Sequence, residues 1–116
     1  MAFTEQQISQ YLETIENEFW AKRRPPLDLR DKIREGQRIS GQSIELFFER
    51  PAFERPGKFI EESVAKICYV RTREVWEIYW QRADLKFHHY EPRPEVASLS
   101  EALAVIDEDA YCCFFG

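Results

Sequence analysis

Between residues 64 and 90 the large apolar side chains recur at nearly every second position, and two polar breaks interrupt the run. That period belongs to half-buried strands, because successive side chains on a strand point to opposite faces. With tight turns at Thr72-Arg73 and Arg82-Ala83, Tyr69 faces Trp76, Ile67 faces Ile78 and Ala65 faces Trp80. Across the second turn Trp80 faces Leu85, Ile78 faces Phe87 and Trp76 faces His89. All of these share one side. The other carries Val64, Lys66, Cys68, Val70, Val75, Glu77, Tyr79, Lys86, His88 and Tyr90. A slip of one residue at either turn scrambles this division, so one apolar and one mixed side argue for an antiparallel meander.

The preceding segment extends the sheet. "QRISGQSIELFFER" reads as a hairpin turning at Ser40-Gly41, where glycine supplies the positive φ such turns require. Ile44, Leu46 and Phe48 take one face; Glu45, Phe47 and Glu49 take the other. "RPAFERPGKF", with two prolines and a glycine, reads as a long surface loop.

Helices flank these strands. Thr4 with Gln7 forms a capping box, and Phe3 with Ile8 fits a hydrophobic staple. Ile8, Tyr11, Leu12, Ile15 and Phe19 then repeat at helical spacing. The helix is expected to run to about Lys22, before Pro25 and Pro26 forbid it. Residues 27–35 fit a short helix and a loop equally well. Near the other end Ser98 with Glu101 marks a second capping box, and Leu99, Ala102, Leu103 and Ile106 give a helix over about 99–108. Phe114 and Phe115 in the tail "AYCCFFG" are expected to dock on the body, since burying one is worth about 1.5–3 kcal/mol. The expected fold is a single α+β domain spanning 1–116. An antiparallel sheet of four to five strands lies between an N-terminal and a C-terminal helix, and the helices cover the Ile67/Trp76/Trp80 face.

A chain of 116 residues, 44% hydrophobic and 32% charged, suits one globular domain. The net charge of −5 disfavours non-specific adhesion to nucleic acid or an anionic membrane. No apolar run approaches the roughly 20 residues that span a bilayer, and MAFTEQQ lacks the start of a secretory signal. The expected compartment is the cytoplasm. The cysteines Cys68, Cys112 and Cys113 are odd in number, which fits reduced thiols better than a disulfide framework.

Chemistry is sparse. There is no P-loop, G-x-G-x-x-G, H-E-x-x-H, G-x-S-x-G or C-x-x-C. Trp76 and Trp80 share a face that lacks Lys and Arg, so they read as core and not as a platform for stacking bases. In the register above His88 aligns with Glu77 and Cys68. Strands about 4.8 Å apart put Cys68 and His88 about 10 Å apart at Cα, too far for a shared zinc. A Glu77–His88 cross-strand pair is the simpler reading. Cys112-Cys113 reads as buried thiols before it reads as a vicinal disulfide or half a metal site.

One basic segment stands out. Lys22, Arg23, Arg24, Arg30, Lys32, Arg34 and Arg38 oppose three acids between residues 22 and 38. Lys22 and Arg23 suit a helix C-terminus, and salt bridges to Glu18, Asp28 and Asp31 account for others. A phosphate or an acidic protein surface is the functional alternative. Lys66 and Lys86, flanking Tyr79, extend such a surface if the mixed face is open.

"KRRPP" at 22–26, "GQS" at 41–43, "VAKICYV" at 64–70, "VWEIYWQRADLKFHHYEP" at 75–92 and "CFFG" at the end together resemble the small bacterial proteins grouped as DUF3024, a domain of unknown function. The resemblance covers nearly the whole chain. Members tend to have tryptophan where Phe87 stands and glycine where Cys112 stands; the second departure weakens any role for a Cys112–Cys113 pair. The resemblance implies a bacterial cytosolic protein and no particular activity, cofactor or catalytic residue.

Three readings follow. The first is a non-enzymatic protein-interaction module using the mixed sheet face, with a protein partner or a second copy, no cofactor, no metal and no membrane. Its candidate surface is Arg23, Arg24, Arg30, Arg34, Arg38, Lys66, Glu77, Tyr79, Lys86 and His88. The second is nucleic-acid binding through the basic 22–38 segment. The third is a small hydrolase or nuclease using Glu77, His88 or Cys68, which requires a concave pocket.

Overall fold

The structure, a computed structural model, describes residues 3–23, 33–52, 54, 57–111, 113 and 114. It opens with helix α1 (Glu5–Ile15), which passes through a π-helical turn (Glu16–Trp20) into the short α2 (Ala21–Arg23). Thr4 and Gln7 cap it reciprocally, as expected. The strands are β1 (Arg34–Ser40), β2 (Ser43–Pro51), β3 (Phe59–Val70), β4 (Val75–Gln81), β5 (Phe87–His89) and β6 (Glu95–Val96), followed by helix α3 (Leu99–Glu108). They form one antiparallel sheet in the order β1-β2-β3-β4-β5, with β6 also pairing β4. The α+β meander between two terminal helices is therefore as read. The 27–35 question lies outside the described residues up to residue 32, and Arg34 and Glu35 belong to β1.

Both helices cover one sheet face. Trp76 sits at the centre of an aromatic cluster, 5.8 Å from Phe3, 5.2 Å from Tyr11 and 4.9 Å from Tyr69 between ring centroids. Ile44, Leu46, Ala65, Ile67 and Ile78 are fully buried with it. From α3, Leu99, Ala102, Leu103 and Ile106 close the same core. Trp76 is thus architectural. Trp80 packs at the margin of the core and is only partly buried.

The N-terminal helix departs from its expected stripe. Leu12 is 38% exposed, whereas Trp20 is buried beside Phe19. The π-turn adds a residue to the helical repeat, so the consecutive Phe19 and Trp20 both turn inward, with ring centroids 4.8 Å apart. Trp20 also packs on Phe48 and donates its indole N–H to Gln37 Oε1 at 3.0 Å.

Three turns differ from expectation. Ser40 pairs with Ser43, so Gly41 and Gln42 make the first hairpin turn, with Gly41 at φ 61. The shift is by one step at the centre and keeps Ile44 and Leu46 on the core side. The β3–β4 register is as read, with Tyr69 opposite Trp76 and Ile67 opposite Ile78, but the turn is wider than Thr72-Arg73: it runs from Arg71 to Glu74, with Arg73 N–H donating to Val70 O and Glu74 at φ 51. The β4–β5 register is not as read. Tyr79 pairs His89, Trp80 pairs His88 and Gln81 pairs Phe87. A two-residue turn at Arg82-Ala83 would need positive φ at residues poorly suited to it. Instead Asp84 accepts from the Lys86 N–H, Leu85 takes φ 64, and Arg82 N–H bonds Lys86 O. Asp84 thus builds the longer loop through its own side chain. The shift is odd, so it moves Phe87 and His89 to the mixed face and His88 and Tyr90 to the core side.

A bulge in β3 explains a further difference. The β2–β3 register shifts between Leu46 and Phe47, which leaves Val64 unpaired. Val64 and Ala65 both enter the core, so Val64 does not belong to the mixed face.

At the C-terminal end the Ser98 cap forms, but the expected capping box with Glu101 is not closed. Ser98 caps α3 by accepting from the Glu101 N–H, while Glu101 reaches past the cap to the Ala97 N–H. Phe114 docks on Tyr90 with ring centroids 4.8 Å apart. Phe115 and Cys112 lie outside the described residues.

Candidate functional site

The face away from the helices is built by strand pairing. Arg38 of β1, Glu45 of β2, Lys66 of β3, Tyr79 of β4 and His89 of β5 stand opposite one another in turn, a continuous row across the sheet. A second row runs Ser40, Ser43, Cys68, Glu77 and Glu95. Among the described residues no helix lies over these rows. Cys68, Tyr79, Phe87, Val70 and Val75 are half-buried by their neighbours.

Local pairings satisfy most of the charge. Arg38 pairs with Glu61 and stands 3.6 Å from Glu45, while its guanidinium lies over the Phe47 ring at 4.9 Å. Ser63 donates to Glu45. Arg73, in the β3–β4 turn, bridges Glu77 at 3.2 Å and Glu95 at 2.7 Å. Lys66 is different. Its ammonium lies over the Phe87 ring at 5.6 Å, and no carboxylate among the described residues pairs with it.

Tyr79 donates to Glu77 Oε1 at 2.9 Å and stacks on His89 with centroids 4.5 Å apart. Burial first, then the bond to the Glu77 carboxylate, pushes its phenol up to about 12. Burial likewise raises the Cys68 thiol, Glu77 adding to the shift and Lys66 opposing it. Both groups are neutral at ordinary pH, and a neutral thiol is a poor nucleophile.

The expected surface residues divide. Arg38, Lys66, Glu77 and Tyr79 come together on the open face. Arg34 reaches the same side farther along, over the Phe59 ring at 4.9 Å. Arg23 does not join them; it bridges to Asp107 of α3 at 2.7 Å. Arg24 and Arg30 lie outside the described residues. Lys86 sits in the β4–β5 loop beyond the last pair, not beside Tyr79. His88 points to the helix side, where its Nε2 meets Asp84 at 2.9 Å. The Cys68-Glu77-His88 row therefore does not exist: Glu77 pairs with Glu95, and the Glu77–His88 pair is replaced by Asp84–His88. Phe87, His89 and Arg73 join the surface unannounced. The first two were hidden by the register of one loop. Phe47 was placed on this face by alternation, but its burial depends on Gly36, directly opposite and without a side chain.

Among the described residues no three His, Cys, Asp or Glu side chains converge as a metal site would require, and no helix is long and apolar enough to cross a membrane. The elements define a small α+β protein with one helix-covered and one open sheet face. The family described as Domain of unknown function (DUF3024) matches residues 3–116, and the chain belongs to it. No curated protein and no solved structure matches it.

Proposed function

We propose that this protein is a non-enzymatic protein-interaction module that receives its partner on the open sheet face. The supporting observation is the row Arg38–Glu45–Lys66–Tyr79–His89, flanked by half-buried Phe87, Val70 and Val75 and rimmed by paired charges. Protein interfaces commonly combine half-buried apolar side chains with polar and charged ones, as this face does. Nucleic acid is the weaker reading. Within the basic segment Arg23 and Arg38 already hold carboxylates, which reduces the cationic charge free to release counterions from phosphates.

The first partner to test is a second copy. The row alternates in sign from Arg38 through Glu45 to Lys66, and a two-fold contact sets Lys66 of one copy against Glu45 or Glu77 of the other. Sedimentation over a range of concentrations, combined with acetylation of lysines, reads this out. The expected result is a dimer in which Lys66 is shielded and Lys58 is not, and in which Lys66→Glu restores the monomer. A monomer at all concentrations with Lys66 fully reactive removes the second copy as the partner.

A further inference from the structure

On the helix side of the sheet, at its β5 end, a cleft of about 400 Å³ opens between the end of β4, the β5 segment and the C-terminal tail. It is lined by Trp80, Arg82, His88, Tyr90, Glu91 and Cys113, among others. We propose that this cleft binds a small molecule with a flat apolar body and a carboxylate group. The proposal does not rest on the open-face reading: Trp80, His88 and Tyr90 belong to the helix side, and His89 is the residue that both lines the cleft and ends the open-face row.

Two groups in the cleft are available to a ligand. Tyr90 is only 2% exposed, yet among the described residues nothing hydrogen-bonds its hydroxyl. Among the described residues no buried side-chain oxygen or nitrogen is left without a partner, so this hydroxyl is not sealed inside the core, and its residue lines the cleft. A buried phenol usually finds a partner. The second group is Arg82. Its guanidinium rests 5.6 Å from the centroid of the Trp80 ring, and its charge also acts on Asp84, which is bonded to His88. By contrast His88, in the same wall, is held by Asp84 at 2.9 Å.

The arrangement suits one kind of ligand. The planar side chains of Trp80, His88 and Tyr90 line the cleft, and Arg82, seated on Trp80, carries a fork of donors matched to a carboxylate. Tyr90 supplies a further donor. A cavity of about 150 Å³ accepts a benzene ring, so the volume here leaves room for two fused rings and an acid group. Glu91 at the rim disfavours a second negative charge on the ligand, which argues for a monoanion over a phosphate ester.

The test is a titration of the full chain with 2-naphthoate and with its neutral amide, followed by amide and indole N–H chemical shifts. A ligand this small reaches a dissociation constant of about a millimolar. The expected result is saturable movement of the Trp80 indole N–H and of the Arg82, His88 and Cys113 amides. The amide should bind at least about tenfold more weakly, and Arg82→Gln should weaken naphthoate about tenfold. Arg82 is exposed, so this variant keeps the fold even if Tyr90→Phe does not. The proposal is overturned if those resonances stay still at about 10 mM, if shifts concentrate at Val70 and Val75 instead, if the amide binds equally well, or if Arg82→Gln changes nothing.

Discussion

Trp80 stands directly opposite His88, and the loop between them sets that pairing. Leu85 holds φ 64 within it and is 76% exposed. A left-handed backbone costs a β-carbon residue roughly 1–2 kcal/mol, and Leu85 recovers little of this by packing. Leu85→Asn, which tolerates that conformation, should raise stability by about 0.5–1 kcal/mol in urea unfolding. A fall in the midpoint would show that Leu85 is held by contacts the loop geometry does not reveal.

The π-turn makes a paired prediction. Trp20 is buried against Phe19 and Phe48, whereas Leu12 faces solvent one helical stretch earlier. Trp20→Ala should cost about 3–5 kcal/mol. Leu12→Ala should change stability by no more than about 0.5 kcal/mol. Similar costs for the two would place the helix in its regular α register, without the inserted residue.

Gly36 makes room for a ring. A β-carbon there would sit 2.8 Å from two atoms of Phe47, which is 8% exposed beneath Arg38. Gly36→Val should therefore force the ring outward and cost about 1–3 kcal/mol by thermal or chemical unfolding. It should also expose apolar surface on the open face. An unchanged midpoint would mean the ring has another place to go.

The Tyr79 phenol titrates at about 12 in the folded chain and at its ordinary value of 10.0 when unfolded. Its folded value is raised, so its contribution is complete below pH 10 and is lost as pH climbs toward 12. Tyr11 and Tyr90 shift in the same direction, chiefly through burial. Stability should thus fall across that alkaline window, and Tyr79→Phe should fall less steeply. Equal slopes for the two proteins would place the phenol in open water.

Much of this molecule is legible in its sequence because local chemistry is strong there. Thr4 and Gln7 announce a helix start, Ser98 another, and the alternation from Ala65 to Trp80 fixes the inward side chains of β3 and β4. What escapes is decided by insertions of one to three residues. One residue in the π-turn brings Trp20 inside, Val64 is extra in a bulge, and Asp84 widens a loop by its own hydrogen bond. Each insertion changes the phase of a periodic pattern without changing its composition. The candidate surface inherited that error: Lys66, Glu77 and Tyr79 were found because β3 and β4 were in phase, while His88 and Lys86 were assigned to a face they do not occupy.

The most direct test of the interaction reading is a photo-crosslinking residue placed at Tyr79 in the protein's native cell, with Ser100 on the exposed side of α3 as the control position. The account predicts a discrete protein adduct from position 79, either a second copy or another chain. The adduct should be absent from position 100 and lost when Phe87 is changed to Glu. A nuclease-sensitive adduct, or no adduct from position 79 under conditions where position 100 reacts, would contradict it.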